Sequence, residues 1–555
     1  MRALYQRAAA ALCAVLAATG CIEETFPMNS TATTEQVGAN PTAMQASANG
    51  LAAMMVKYFS GYHGSSNSND FDFSYPGLMI SQDTSAGELI ICGSTYYDWF
   101  QYWAKAVYIN DATTRAYTVW STYYQYVLCA NNLIRAIDPE TENALERGYL
   151  GMAYAFRAFS YLQMAQLYEF KAPTDPSVKS SYVPDNAAVA TERLTVPIVT
   201  EETTEEESFN NPRAPHDRMY AFILSDLDKA EAFLSAGEQE SRLLPCLDVA
   251  YGLKARYYLL LGDEVSGGYA LAAEYARKAR QAFGGSPLTR DQWENPTTGF
   301  NNYAANSNSW MWYVAVPKES VYINANFIAH MCTEQVWNPY GYSTSRGINR
   351  NLYDKIPDTD FRKHSWIDPG RMGYYAYKTN RDIDSPSDET YYIATYGNLK
   401  FRPVGGELSQ YVESGAVELP LMRLEEMYFI EAEALARSGD LGGARSLLAS
   451  LIRTRNPQYD PSAASTLDDF VEELFTQKRI EFWGEGLILF DFKRLGAGAV
   501  MGYEGTNVPE GYRYNVTGPA PWWNWVIPRT ELNTNTGLVG FNNPDPVKSV
   551  AEWKQ

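Results

Sequence analysis

Between residues 141 and 169 nearly every turn of the chain is apolar. In "YLGMAYAFRAFSYLQMAQLY" (149–168), Met152, Phe156 and Phe159 make one stripe, and Ala155, Ala158, Leu162 and Ala165 make another. Apolar residues nearly all round predict a buried helix, and the alanines allow close approach of a neighbour. The helical period also marks 41–59 and 114–136. It marks 215–234 as well, where Pro215 opens the first turn and Tyr220, Ile223, Leu227, Ala230 and Leu234 form the core face. Residues 246–262 with 268–283, and 421–438 with 441–453, read as two helical hairpins. Aligning Gly262-Asp263 on Gly439-Asp440 brings Ala255 onto Ala432. In both, a helix ends at a glycine suited to a left-handed cap, and a second helix opens on small residues. This is a tetratricopeptide-like pattern. A last helix over 467–483 is opened by Thr466 with Asp469 three residues on, a box-like cap.

Three long stretches lack this period: 60–112, 170–213 and 285–419. They are rich in Tyr, Trp, Asn, Gly and Pro, and the third is far longer than an ordinary loop. "SWMWYVAVP" (309–317) and "ETYYIATYG" (389–397) read as short strands. The predicted fold is therefore mainly α, a helical scaffold carrying long irregular loops with a few short strands. Loops on a rigid scaffold are where binding concentrates.

Charge narrows the function classes. Lys plus Arg is 45 against 65 Asp plus Glu, a net charge of −20. No run of five basic residues occurs, so nucleic acid is a poor partner, since a phosphate backbone is neutralised by Lys and Arg. The four histidines (His63, His216, His330, His364) show neither HExxH nor HxH spacing, and no metal or cofactor is expected.

The N-terminus carries an address. Arg2 and Arg7 precede a short apolar run, Ala8–Ala18, too short to span a bilayer. Ala18-Thr19-Gly20-Cys21 then resembles a bacterial lipobox, which predicts a signal peptide over 1–20, cleavage before Cys21 and lipidation of its thiol. Glu23 and Glu24 resemble an acidic surface-export signal. Cys92, Cys129, Cys246 and Cys332 sit at irregular spacing, and both disulfides and free buried thiols stay open.

Several segments resemble one family. "YLGMAYAFRAFSYLQMAQLY" with Arg157-Ala158, "VPIVTE" (196–201) and "PRAPHDRMYAFILSDLDKAEAFL" (212–234) are similar to consecutive SusD/RagB motifs. So are "ELPLMRLEEMYFIEAEALARSGD" (418–440), "KRIEFWGEGLILFDFKRLG" (478–496) and "WVIPRTELNTNTGL" (525–538). The family's usual His-Arg pair after Gly486 is Leu487-Ile488 here. The resemblance implies one SusD-like domain over 21–555, with helical scaffold about 41–283 and 420–496 and a variable ligand-loop region about 285–419. It also implies a Bacteroidetes lipoprotein on the exterior face of the outer membrane, without catalysis or cofactor. Such a protein binds oligosaccharide, or in some members peptide, and passes it to a SusC-like TonB-dependent transporter.

No family motif fixes the ligand residues, so they are chosen by chemistry. Sugar faces stack on aromatic rings while hydroxyls bond to Asn, Asp or Arg at the edge. The first candidate group is Tyr97, Asp98, Trp99 and Tyr102, beside Tyr96 and Trp103; the second is Trp310 and Trp312 with Asn308; the third is Trp337, Asn338, Tyr340 and Arg346. "PWWNW" (521–525) sits beside a closing scaffold motif and reads as structural. Arg423, Glu426, Glu431, Arg479, Glu481 and Asp491 read as helix-fixing ion pairs; the alternative is that two of the carboxylates form a glycosidase pair.

Overall fold

The computed structural model describes residues 37–38, 40–57, 70–92, 98–182, 191–239, 241–335, 337–342, 344–368 and 395–554. In chain order the principal elements begin with α1 (Pro41–Met54), α2 (Tyr75–Ala86), β1 (Leu89–Ile91), α3 (Trp99–Ala104), α4 (Thr114–Ala136) and α5 (Ala144–Tyr168). They continue with α6 (His216–Ala236), α7 (Leu247–Leu261), α8 (Gly268–Phe283), β2 (Trp310–Ala315), β3 (Arg346–Ile348) and β4 (Glu418–Arg423). The last are α9 (Leu424–Arg437), α10 (Leu441–Ile452), α11 (Leu467–Glu481), α12 (Ile488–Leu495), β5 (Ala499–Val500) and β6 (Asn515–Val516).

Helices α4 to α10 pack each on the next. The two hairpins stack through α8 against α9, across the long insertion that separates them. Helix α5 lies at the centre, buried from Gly148 to Ala165. Two glycines let α6 approach it: a Cβ at Gly148 would stand 2.0 Å from Glu238 O, and one at Gly151 2.6 Å from Leu234 Cγ. The hairpin turns share positive φ, 50° at Gly262 and 95° at Gly439. They then diverge. Asp440 accepts from Gly443 N and opens α10 at once, whereas Gly262–Glu264 forms a 3-10 turn before α8. The Thr466–Asp469 capping box of α11 forms as read.

Among the described residues three two-stranded antiparallel ribbons brace the loops, pairing β1 with β3, β2 with β4 and β5 with β6. The β2–β4 register sets Trp310 opposite Arg423 and Val314 opposite Leu419. "ELPLMR" is thus a strand and α9 begins only at Leu424, three residues later than its period suggested. Pro215 is the N-cap of α6 and not its first turn. Helix α2 was not anticipated; all of it is buried, so it shows no polar face to give it a period. Of the segment 389–397, residues 389–394 lie outside the described residues.

The scaffold motifs are buried ion pairs. On α5, Arg157 donates from Nε and Nη2 to the Asp226 carboxylate at 2.7 and 2.8 Å and from Nη1 to Asn131 at 2.7 Å, and it also meets Glu201. Between β4, α9 and α11, the cations Arg362, Lys400, Arg423 and Arg455 interleave with Asp360, Glu425, Glu481 and Glu485. All eight are buried. Glu426 meets Arg256, and Glu431 meets Arg277 and Arg280. Arg479 meets Glu88, and Asp491 meets Lys478 and Arg494. These carboxylates are held by arginines and lysines within the helix packing, and Glu426 and Asp491 line one small cavity together with their partners Arg256, Lys478 and Arg494. Cys92, Cys129, Cys246 and Cys332 are free thiols. Among the described residues no helix is long and apolar enough to cross a membrane.

Candidate functional site

Helix α3 is six residues long, too short to persist without a cap and a floor. Asp98 supplies the cap: its side chain accepts from Gln101 N at 3.3 Å. Phe71 and Trp103 supply the floor, with ring centroids 5.1 Å apart. Residues three apart share one helix face, so Trp99 and Tyr102 emerge side by side, 5.8 Å between centroids. Tyr108 joins them at 5.9 Å from Trp99 and 5.4 Å from Tyr102. Its backbone is left-handed, φ 54°, and it is 52% exposed. Trp99 and Tyr102 are half-buried. The result is a surface of three aromatic rings standing edge to face.

A second exposed aromatic group lies on the later loops. Trp337 is half-buried, with its ring 6.1 Å from that of Tyr411, itself 37% exposed. Tyr322 and Ile323 are exposed nearby in the chain, and Asn338 Nδ2 donates to Ile323 O at 3.1 Å, tying that strip to Trp337. The two groups share a polar floor. Tyr340 donates to Asp70 Oδ2, and Asp70 directly precedes Phe71, which packs on Trp99 at 5.6 Å.

Several residues chosen from the sequence as ligand contacts lie in that floor or deeper. Asp98 and Arg346 have no exposed side-chain surface and form an ion pair at 2.8 Å. Burial pushes the Asp98 carboxyl up, and the Arg346 charge opposes the shift. Asn338 is buried, with its Nδ2 committed to Ile323 O and Asn324 Oδ1. Tyr340 is buried against His330, centroids 4.4 Å apart. Trp310 and Trp312 are core residues. Trp312 packs on Phe159 of α5 at 4.9 Å and donates to Leu243 O at 3.1 Å, while Trp310 packs on Phe300 at 5.9 Å. Neither ring has any exposed surface, so the second candidate group is corrected to structural. Asn308 beside them bonds to Ser286. Trp522 and Trp523 both donate to Ser85 O, at 3.0 and 2.8 Å, and are buried, in keeping with the structural reading of "PWWNW". Tyr97 and Cys21 lie outside the described residues.

Tyr108, Tyr322 and Tyr411 were missed. Tyr108 and Tyr322 are lone tyrosines in loops and Tyr411 opens a five-residue helix, and nothing local distinguishes any of them from a packed one. Among the described residues no group of three or more His, Cys, Asp or Glu side chains is placed to hold a metal ion.

Residues 274–545 match the model of the SusD family, and residues 81–259 match a model described as starch-binding and associating with the outer membrane. The chain belongs to the SusD family. Its fold agrees: a SusD-like carbohydrate-binding protein from Bacteroides vulgatus superposes with a TM-score of 0.67 at 20% identity, over 92% of this chain and 98% of that one. A SusD superfamily protein from Bacteroides thetaiotaomicron gives 0.61 at 18%, over 91% and 99%. A laminarin-binding SusD-like protein gives 0.61 at 18%, over 89% and 98%. No curated protein matches the chain. Seen as a SusD-family scaffold, the departure at Leu487-Ile488 is a packing change: both side chains are buried at the start of α12. The family is one of carbohydrate-binding proteins, which makes the exposed aromatic face the candidate ligand site.

Proposed function

We propose that this SusD-family protein captures an oligosaccharide on the face formed by Trp99, Tyr102 and Tyr108, extended by Trp337 and Tyr411. It then delivers the glycan to a SusC-like TonB-dependent transporter, held at the exterior of the outer membrane by lipid on Cys21. The observation that carries this reading is the ring trio, Trp99 and Tyr102 on the capped helix α3 with exposed Tyr108 packed against both. Sugar C–H groups favour the negative face of an aromatic ring, and such contacts reward rings held rigidly in place. The protein's role is capture without bond cleavage.

The test is affinity electrophoresis and calorimetry of residues 22–555 against plant, microbial and host glycans, laminarin included, with Trp99→Ala and Tyr108→Ala alongside. Saturable binding of one glycan without product release, weakened in both variants, supports capture at this face. Release of shorter products would overturn it in favour of hydrolysis. Binding of peptides and of no glycan would move the protein to peptide capture. Co-purification with a TonB-dependent barrel from the native membrane tests delivery.

A further inference from the structure

Four polar residues of the expected site (Asp98, Asn338, Tyr340 and Arg346) lie beneath the aromatic face. Their geometry gives them a different task. Asp98 divides its carboxylate: one oxygen caps α3 through Gln101 N, and the other meets Arg346 Nη2 at 2.8 Å. The same Nη2 lies 3.0 Å from His330 Nδ1. Arginine only donates, so Nδ1 accepts and the ring proton sits on Nε2. From there it reaches Asp70 O at 2.9 Å and Asn324 O at 3.0 Å. The imidazole is clamped between Tyr340 and Phe73, with interplanar angles of 15° and 13°, and Phe100 of α3 meets its edge at 5.1 Å. One guanidinium thus joins three segments: 70–73, which places Phe71 under Trp99; α3, which carries Trp99 and Tyr102; and the loop running to Trp337.

We propose that Arg346 is a positioning residue for the aromatic face, locking the cap of α3 to His330 so that the rings of Trp99, Tyr102 and Tyr108 hold one arrangement before ligand arrives. The proposal rests on the glycan reading for its consequence in binding, and on geometry alone for its consequence in order. A six-residue helix has too few internal hydrogen bonds to hold itself. A purely charge-balancing pair would be dispensable as a pair, because replacing both partners of a buried ion pair by neutral residues is often harmless to stability. A positioning link is lost in either case.

The experiment compares wild type (residues 22–555), Arg346→Met, Asp98→Asn and the double variant by thermal melting, by hydrogen exchange of peptides covering 99–108 and α5, and by retention on laminarin gels, with Trp99→Ala as the binding control. Each single variant leaves a buried charge unpaired and melts earlier. The double variant melts above either single variant, and short of wild type because His330 Nδ1 and Thr344 O lose their donor. Yet its peptides over 99–108 exchange about tenfold or more faster while α5 is unchanged, the signature of local opening, and it binds laminarin as weakly as Trp99→Ala. Wild-type exchange over 99–108 in the double variant would overturn the proposal. Should a single variant fail to fold, the double variant carries the comparison. Exchange needs no glycan, so failure of the wild type to bind laminarin would count against that glycan while the role of Arg346 is still decided.

Discussion

Glu481 sits at the centre of the buried charge cluster, and its replacement by glutamine puts a number on that architecture. Its carboxylate accepts from Arg362 Nη1 at 3.0 Å, Arg423 Nη1 at 3.1 Å, and Arg455 Nε and Nη2 at 3.2 and 3.0 Å. The four cations and four anions of the cluster cancel, so Glu481→Gln leaves one positive charge uncompensated where side-chain exposure is nil. Glutamine keeps one acceptor oxygen and turns an NH2 group toward a guanidinium. At least two charge-assisted bonds are lost, at about 1.5–3 kcal/mol each, which agrees with the about 3–5 kcal/mol typical of breaking one side of a buried pair. The expected loss is therefore about 4 kcal/mol in urea unfolding followed by far-ultraviolet circular dichroism. Burial pushes the Glu481 carboxyl up, but Arg455, Arg423 and Arg362 outweigh it and hold the group far below the usual glutamate range. A depressed carboxylate contributes stability above its unfolded value and loses it as pH falls through the folded one. The gap between wild type and variant must then shrink on acidification below the ordinary glutamate range. A loss under about 1 kcal/mol at pH 7, or a gap independent of acid, would refute the reasoning.

Other outcomes follow from the same geometry. Trp312→Ala removes a core ring and should cost about 3–5 kcal/mol, read by urea unfolding, without altering glycan affinity under conditions where it is folded. Tyr108→Ala removes an exposed ring, so it should leave the melting temperature unchanged and weaken glycan binding by about 2- to 10-fold, read by calorimetry. Asp83 is pushed up to about 7 by burial, against the Gly486 N–H that it accepts. Its ionisation is therefore a cost that grows from the unfolded value to about pH 7, and Asp83→Asn should stabilise the protein, by up to about 4 kcal/mol at pH 8 and less at pH 5. His330 is held well below its usual value by burial and by Arg346. The unfolded chain takes up a proton that the folded one refuses, so the stability of the wild type relative to His330→Gln should fall as pH drops below the ordinary imidazole range.

The helices were legible where one face or all faces repeat with the helical period, as in α5 and the two glycine-turned hairpins. They were illegible where that period is absent or misplaced. Helix α2 mixes Gln82, Asp83 and Thr84 with Met79 and Ile80 because all of them are buried, so no polar side marks it. The start of α9 was misplaced because strand β4 is apolar on every residue from Leu419 to Met422 and continues the helical pattern by coincidence. At the candidate site, the region before α4 was legible from the density of aromatics around Trp99. The depth of each residue was not, because burial of Arg346 and Asp98 depends on partners hundreds of residues apart, and Trp312 differs from Trp99 only in lying opposite α5. Tyr108 has a left-handed backbone, which a non-glycine residue does not announce, and its exposure depends on how the chain after α3 packs.

Radical footprinting of the tryptophans and tyrosines, with and without the glycan that the binding screen selects, tests the central claim most directly. The account predicts protection of Trp99, Tyr102 and Tyr108, with Trp337 and Tyr411 added for longer chains, and no change at the buried Trp310 and Trp312. Saturable glycan binding with these rings unprotected, and protection elsewhere on the surface, would contradict it.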